Sequence, residues 1–379
     1  MHIILHIGMD VHSTNYTLST CSLQVDTETG SLEEKVTPSI QIEPDYKLVL
    51  SYIDRIRSAY PKDTVEFQCG YEAGCLGYSL YHQLTKAGVK CVILAPTTMA
   101  VSTKSKVKKN DKRDAEQIAK CLAYGTYKSV HVPSDQDNEI KEYIRMRDDH
   151  KLALKKVKQQ ILAFCLRNGF SYAKNYWTEA HLTWLRSAPM AACFREVLDE
   201  YLLTYQNLAD KLERMDKRIE QFAELPAYQE KVKKLTCLIG VKTHTAMATI
   251  VETGDFNRFE SADRYSAFFG LVPTERSSGD GQNLFGITKA GNSHIRKLLI
   301  ESAQCYSRGA VGYKSKALKL RQNGNPPKVI AYADKANERL RRKYYHMTQH
   351  GKKYNVAKTA IARELACFIW GMMTEHMNA

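Results

Sequence analysis

The chain has 379 residues, 44% of them hydrophobic and 25% charged, with a formal net charge of +14 and a mean hydropathy of −0.42. That length exceeds one ordinary core and predicts two or three domains, while the charge content and the lack of a long apolar run exclude a membrane-spanning protein. Ten cysteines are scattered singly with no C-x-x-C pair, which indicates neither a zinc knuckle nor a disulfide framework and points to free thiols in a reducing cytosol.

Residues 2–10 and 16–24 run apolar or alternate around the turn VHST and predict a strand pair. The opening IILHIGM is short, lacks a basic flank and runs into Asp10, so it reads as a buried strand and not as a signal peptide. VTPSIQI at 36–42 predicts a third strand, and the spacing near 3.6 in 46–60 predicts a helix. A strand in TVEFQCGYEA, a helix closing on Gly88, a strand in VKCVILAP and a helix from Asp111 to Tyr124 follow. A hairpin followed by alternating helices and strands indicates an α/β domain with a mixed sheet.

Strand signals vanish from 138 to 225. Tyr201, Tyr205, Leu208, Leu212, Met215, Ile219 and Phe222 step 4,3,4,3,4,3, an a/d seam for which the upstream stretch IKEYIRMRDDHKLALKKVKQQILAF is a matching antiparallel arm. Pairing within the chain and pairing between two chains both satisfy that seam. Residues 226–379 read as mostly helical, with a Gly-containing turn inside LTCLIGVKTHTAMATIVETG, helical segments at 292–307, 327–347 and 356–372, and a breaker at NGNPP.

Charge is concentrated. Residues 286–353 hold sixteen Lys and Arg against Glu301, Asp334 and Glu338, interleaved with tyrosines, and the remaining chain is close to neutral. A basic block with aromatics suits a nucleic-acid surface. A second basic segment, 104–113, surrounds Asp111 and Asp114 with Lys106, Lys108, Lys109, Lys112 and Arg113.

Four acids fall where a sheet rim would gather them: Asp10 after the first strand, Glu72 after a later one, and Asp111 and Asp114 opening a helix. Carboxylates without a His or Cys cluster suit Mg²⁺, and two such ions about 3.5–4 Å apart clamp the attacking and leaving oxygens of a phosphodiester. Each acid also has a plain reading. The helix dipole favours acids in a first turn by about 0.3–1 kcal/mol, against about 0.2–0.5 kcal/mol of mutual repulsion. Spacing alone leaves both readings open.

The order D…E…D-x-x-D on GMDVHS, YEAG and NDKRDA resembles the DEDD transposases of bacterial insertion sequences, the bridge-RNA-guided recombinases. LRNGF…WTEAHLTWL is similar to their helical middle, and AFFGLVPTERSSG with ITKAGNSHIRKLLIESA resembles their C-terminal domain. The resemblance implies an RNase H-like (RuvC-like) catalytic domain over 1–135, a helical coiled-coil region over 136–225, and a mainly helical C-terminal transposase domain over 226–379. It implies Mg²⁺, in two ions, held by Asp10, Glu72, Asp111 and Asp114, and a serine nucleophile at Ser278, just before Gly279. It further implies donor and target DNA, a structured non-coding guide RNA, a homodimer or homotetramer that assembles the serine and acidic sites from different subunits, and a cytoplasmic, nucleoid-associated protein with no membrane partner. Nucleic-acid contacts are expected at the five basic residues of 106–113 and at Lys242, Lys289, Arg296, Lys297, Arg341, Arg342 and Lys343. One departure is visible: the family turn P-G-x-G reads Ile239-Gly240-Val241-Lys242, so a lysine charge replaces an amide contact. A metal nuclease or resolvase using water, a site-specific invertase, and a non-catalytic nucleic-acid-binding protein are the rival readings. The first and last of these do not need Ser278.

Overall fold

Alternation in the first strand sets up the layers of the N-terminal unit, Met1–Val132. In the computed structural model, which describes residues 2–25, 32–60, 64–74, 76–96, 111–275 and 284–377, β1 runs His2–Val11. Ile3, Leu5, Ile7 and Met9 are buried in one cluster, and Gly8 faces the opposite side, as a period of two requires. The neighbours of β1 are β2 (Tyr16–Val25), antiparallel, and β5 (Thr64–Glu72), parallel; β6 (Lys90–Leu94) extends the parallel side. Two short strands, β3 (Leu32–Val36) and β4 (Ile40–Ile42), both pair antiparallel with β2, so the order is β3-β2-β1-β5-β6 with β4 beside β2.

The single strand expected at 36–42 is therefore two pieces. Pro38 lies in the break between them, where it has no amide hydrogen to give a ladder. Upstream, β3 carries Glu33, Glu34 and Lys35, so it has no apolar alternation by which to be read.

Helices α1 (Tyr46–Arg57) and α2 (Ser79–Lys86) cover one face with Val49, Tyr52, Ile53, Leu80 and Leu84. The other face carries α3 (Asp111–Ala123), whose Ile118, Cys121 and Leu122 pack on Leu94. A Cβ on Gly8 would lie 2.2 Å from both Ala115 O and Ala119 N, so the helix backbone rests directly on the strand. Gly70 on β5 clears Leu122 and Leu94 in the same way. The helix is also pinned to the antiparallel side of the sheet. Lys120 Nζ lies 2.6 Å from Glu34 Oε1, and Ser39 Oγ lies 3.1 Å from both Lys112 O and Glu116 Oε1.

The second unit, Pro133–Ala379, is almost entirely helical. Ser134 caps α4 (Asp135–Arg167) through the Asp137 amide. This helix packs on α6 (Ala192–Ala223), with α5 (Glu179–Ser187) between them in the chain. Phe164 near the end of α4 meets Tyr201 near the start of α6, and Tyr143 meets Phe222 at the opposite ends, so the two run antiparallel. Much of the heptad seam is thus satisfied within the chain: Leu212, Met215 and Ile219 are buried.

Beyond it come α7 (Gln229–Leu235), α8 (Thr243–Thr253), α9 (Ala262–Phe268), α10 (Ser293–Ala303), α11 (Lys316–Gln322), α12 (Pro327–Gln349) and α13 (Tyr354–Met373). The core of this region is α13, whose Ile361, Leu365 and Ile369 are fully buried, each contributing about 1.5–3 kcal/mol. A hairpin of β7 (Pro273–Glu275) and β8 (Leu284–Ile287) interrupts the helices. Among the described residues no helix is long and apolar enough to cross a membrane, and the described cysteines are free thiols.

Because only a glycine admits α3 at this distance, Gly8→Ala is expected to destabilise the N-terminal unit by about 3 kcal/mol or more, at or above the usual cost of overpacking. Urea unfolding of the variant measures this. A midpoint equal to that of the unsubstituted protein would show that α3 does not rest on β1 as described.

Candidate metal centre and a second charged network

The sheet and α3 together aim three polar side chains at one point. Met9 pairs with Tyr71 across the parallel β1–β5 ladder, so the next step brings Asp10 alongside Glu72 at the same strand ends. Gly8 and Gly70 face α3, and residues two further along share that face. Asp111 and Asp114 open α3 above it. Ligand atoms of Asp10, His12 and Asp111 all lie within 4.8 Å of one another. Glu72 ends β5 exposed to solvent and Asp114 sits in the first turn of α3, half-buried; both lie outside that close set.

His12 is the addition that the sequence reading lacked. Its signal was the D-x-H spacing at the strand end, in a motif read only as a turn. His12 Nε2 stands 3.4 Å from Asp10 Oδ2, and that buried oxygen has no hydrogen-bond partner among the described residues. Burial raises the Asp10 pKa, His12 opposes the rise, and the charges of Asp111 and Asp114 add to it. A carboxylate that is half desolvated, faces two like charges and leaves an oxygen unsatisfied is a group short of positive charge. The donor set fits a divalent cation: two carboxylates and an imidazole, with a third carboxylate close enough to feel.

The expected nucleic-acid residues divide by what their side chains already do. Lys112, Arg113, Lys242, Lys289 and Lys297 are exposed. Arg296 donates to Phe269 O at 2.7 Å. Arg341 is 6% exposed and donates to the carbonyls of Ala310 and Tyr313, so it holds a loop. Arg342 pairs with Glu338, and Lys343 with Glu364. Gly240, at the departing family turn, has φ +81° and meets Ser302 O, so the glycine there serves a close backbone approach. Ser278, Lys106, Lys108 and Lys109 lie outside the described residues.

A second charged group in the helical unit has no counterpart in the sequence reading. Asp148 on α4 takes His294 Nε2 at 2.7 Å, His244 Nε2 at 3.1 Å and Arg147 Nη1 at 2.9 Å. Glu252 on α8 is gripped by both arms of Arg145 at 2.8 and 2.9 Å and by Asn292 Nδ2 at 2.8 Å, with His294 Nδ1 at 3.3 Å. Burial alone would push His294 down, yet Asp148 and Glu252 together raise it to about 9. Burial likewise opposes ionisation of Glu252, but His294, Arg145 and Asn292 bring it to about 2. Asp148 is held below the usual carboxylate range by its two histidines and Arg147, against the opposing effect of burial. Here the acids are matched by cations, and the network locks α4, α8 and α10 together. Asn292, which also caps α10 through the Ile295 amide, ties in the segment following the β7–β8 hairpin.

The sequence matches a family model described as "Transposase IS116/IS110/IS902 family" over residues 232–318, and a DEDD transposase model described as "Transposase" over residues 7–170. It is 33% identical over 325 residues to y4qE of Sinorhizobium fredii, a protein named as a transposase, covering 84% of this chain and 79% of that one. The transposase for insertion sequence element IS1533 of Leptospira borgpetersenii is 29% identical over 355 residues, covering 92% and 98%. The transposase for IS1111A of Coxiella burnetii is 25% identical over 265 residues, covering 68% and 71%.

Two outcomes follow from the contrasting charge balance. Asp10→Asn removes one of the mutually repelling charges, so without added metal the variant should melt above the unsubstituted protein. It should also lose the rise in Tm that Mg²⁺ or Mn²⁺ gives by binding the folded state; a variant that keeps that rise removes Asp10 from the metal site. At His294 the folded pKa lies above the ordinary 6.5, so its stabilisation is complete below about pH 6.5 and fades as pH rises through about 9. His294→Gln should lower stability by about 3–5 kcal/mol, as breaking a buried charge pair does, and should flatten the alkaline limb of Tm against pH. An unchanged limb would mean that another group titrates there.

Proposed function

Because the chain belongs to the IS116/IS110/IS902 family of transposases, which act on DNA, we propose that it cleaves and rejoins DNA strands through a covalent phosphoserine bond at Ser278. The observation that carries the metal half of this reading is the convergence of Asp10, Asp111 and His12 at the end of β1, with an orphaned Asp10 oxygen. The sheet order β3-β2-β1-β5-β6, with antiparallel strands on one side of β1 and parallel strands on the other, supports an RNase H-like N-terminal domain. The division into a catalytic domain over 1–135, a helical middle over 136–225 and a C-terminal domain over 226–379 belongs to the same proposal.

In this reading Asp10, Glu72, Asp111 and Asp114 hold Mg²⁺, with His12 as a further donor. Bound there, Mg²⁺ supplies Lewis-acid charge to a phosphodiester oxygen. Ser278 Oγ forms a bond to phosphorus as the bond to one deoxyribose oxygen breaks, and that oxygen leaves with a proton. The number of phosphate ester bonds is conserved, so a second deoxyribose hydroxyl can reverse the step and rejoin the strand. A serine hydroxyl is a weak nucleophile at neutral pH, so its proton must be drawn off as the bond forms. Lys112 and Arg113, exposed beside Asp111, would hold phosphates of the strand without reading bases. Guidance by a structured RNA, and a homodimer or homotetramer, complete the proposal and rest on the family resemblance.

Denaturing gels of trapped reactions provide the test. The protein should carry DNA attached at Ser278, and Ser278→Ala should lose cleavage and the adduct together. Asp111→Asn and Asp114→Asn should each lower strand cleavage by about 10²-fold or more while leaving DNA binding within about threefold, since removal of one charge-stabilising group costs on that order. Full cleavage by Ser278→Ala would point to water as the nucleophile, and full cleavage by both aspartate variants would remove the metal site.

A further inference from the structure

The β7–β8 hairpin and the first turns of α13 enclose a groove of about 650 Å³ that has no part in the proposed metal centre, within the usual size of a ligand cleft. One wall is the hairpin, with Thr274 and Phe285; the other is α13, with Asn355, Val356 and Arg363 at helical spacing. Lys289 stands at the lip. Among the described residues that line the groove there is no carboxylate, and there are two cations, Lys289 and Arg363.

Three features mark it as a binding surface and not a packing gap. Phe285 is 59% exposed and Val356 52%, so an aromatic ring and an aliphatic side chain are presented to solvent on opposite walls. Lys289 has φ +56°, a left-handed conformation rare outside glycine. It is held there by its amide to Gly270 O at 3.1 Å, while Gly270 itself meets Ala290 O so closely that a Cβ would lie 2.2 Å away. The residue in this left-handed position is a lysine that makes no ion pair among the described residues. Arg363 on the far wall is oriented by Asp263 at 3.1 Å, and Asn355 offers a paired donor and acceptor of the kind that reads a base edge.

We propose that this groove takes one unstacked nucleotide of a single-stranded DNA segment, its base against Phe285 and its phosphates between Lys289 and Arg363. Aromatic rings beside a cationic track are how single strands are held with little sequence preference. The choice of DNA rests on the serine reading, because β7 ends three residues before Ser278 in the sequence. Arg363 is matched in part by Asp263, which leaves Lys289 as the unpaired cation of the lining among the described residues; that surplus favours a phosphate over a peptide backbone, which would bring no matching charge.

The test uses the full-length protein and a single-stranded 12-nucleotide DNA carrying 5-iodo-2′-deoxyuridine, irradiated and mapped by peptide mass spectrometry, beside an RNA of the same sequence carrying 5-iodouridine. The DNA should cross-link to Phe285, and the RNA should cross-link there less. Phe285→Leu, which keeps an apolar side chain at an exposed position, should bind the DNA about fivefold more weakly or worse. Lys289→Asn, which tolerates the same backbone conformation, should reduce the dependence of log affinity on log salt by about 0.7. Wild-type binding by Phe285→Leu, adducts confined to other surfaces, or preferential RNA cross-linking would each overturn the proposal. A Phe285 adduct in a protein that never links covalently to DNA at Ser278 would leave the groove standing and remove the serine reading; a Ser278 adduct without one at Phe285 would do the reverse.

Discussion

The acidic end of the N-terminal unit depends on how closely α3 can approach β1. Gly8 has no Cβ, and Ala115 and Ala119 are the smallest side chains that still favour a helix, so backbone meets backbone along the middle of the strand. That approach fixes the height of the first turn of α3 over the strand end, and with it the separation of Asp111 from Asp10. Were α3 held off by a side chain of ordinary size, the same acids would stand too far apart to share a ligand. Lys120 with Glu34 and Ser39 with Lys112 and Glu116 then fix the rotation of the helix from the antiparallel side of the sheet.

Which parts of this were legible in the sequence follows from what each signal measures. Apolar alternation located β1, β2, β5 and β6 because their faces are buried. It failed for β3, whose Glu33, Glu34 and Lys35 sit on an edge where nothing selects apolar residues, and it ran across Pro38, joining two strands into one. The β7–β8 hairpin was invisible because three- and four-residue strands are too short to show a period. The heptad seam named the buried side of α6 correctly but had no means of naming the partner, since the same stripe serves α4 of its own chain or a second copy.

The acids show a similar limit. Order along the chain proposed Asp10, Glu72, Asp111 and Asp114 as one set, and the fold brings Asp10 and Asp111 together at a point that includes His12. A histidine two residues beyond an aspartate carries no periodic signature, so only the turn geometry reveals it. The count of charges in 286–353 likewise described composition and not surface: Arg341 is turned inward to carbonyls, and Lys343 is matched by Glu364 from outside the block. The exposed residue is smaller than the formal charge implies.

The two charged groups in this protein clarify each other. Around Asp148 and Glu252, each carboxylate is met by guanidinium or imidazole groups, so their charge is compensated across the helices even though His244 Nε2 and His294 Nδ1 stand near the acids without a formed hydrogen bond. Around Asp10 the arithmetic runs the other way. Asp111 and Asp114 bring like charge, His12 is 45% exposed and offers partial compensation at 3.4 Å, and a buried oxygen is left over. A stable fold tolerates such an imbalance where something external corrects it, and a divalent cation corrects both the charge and the orphaned oxygen at once. Proximity of acids alone would not separate a brace from a ligand site; the sign of the unmet charge does.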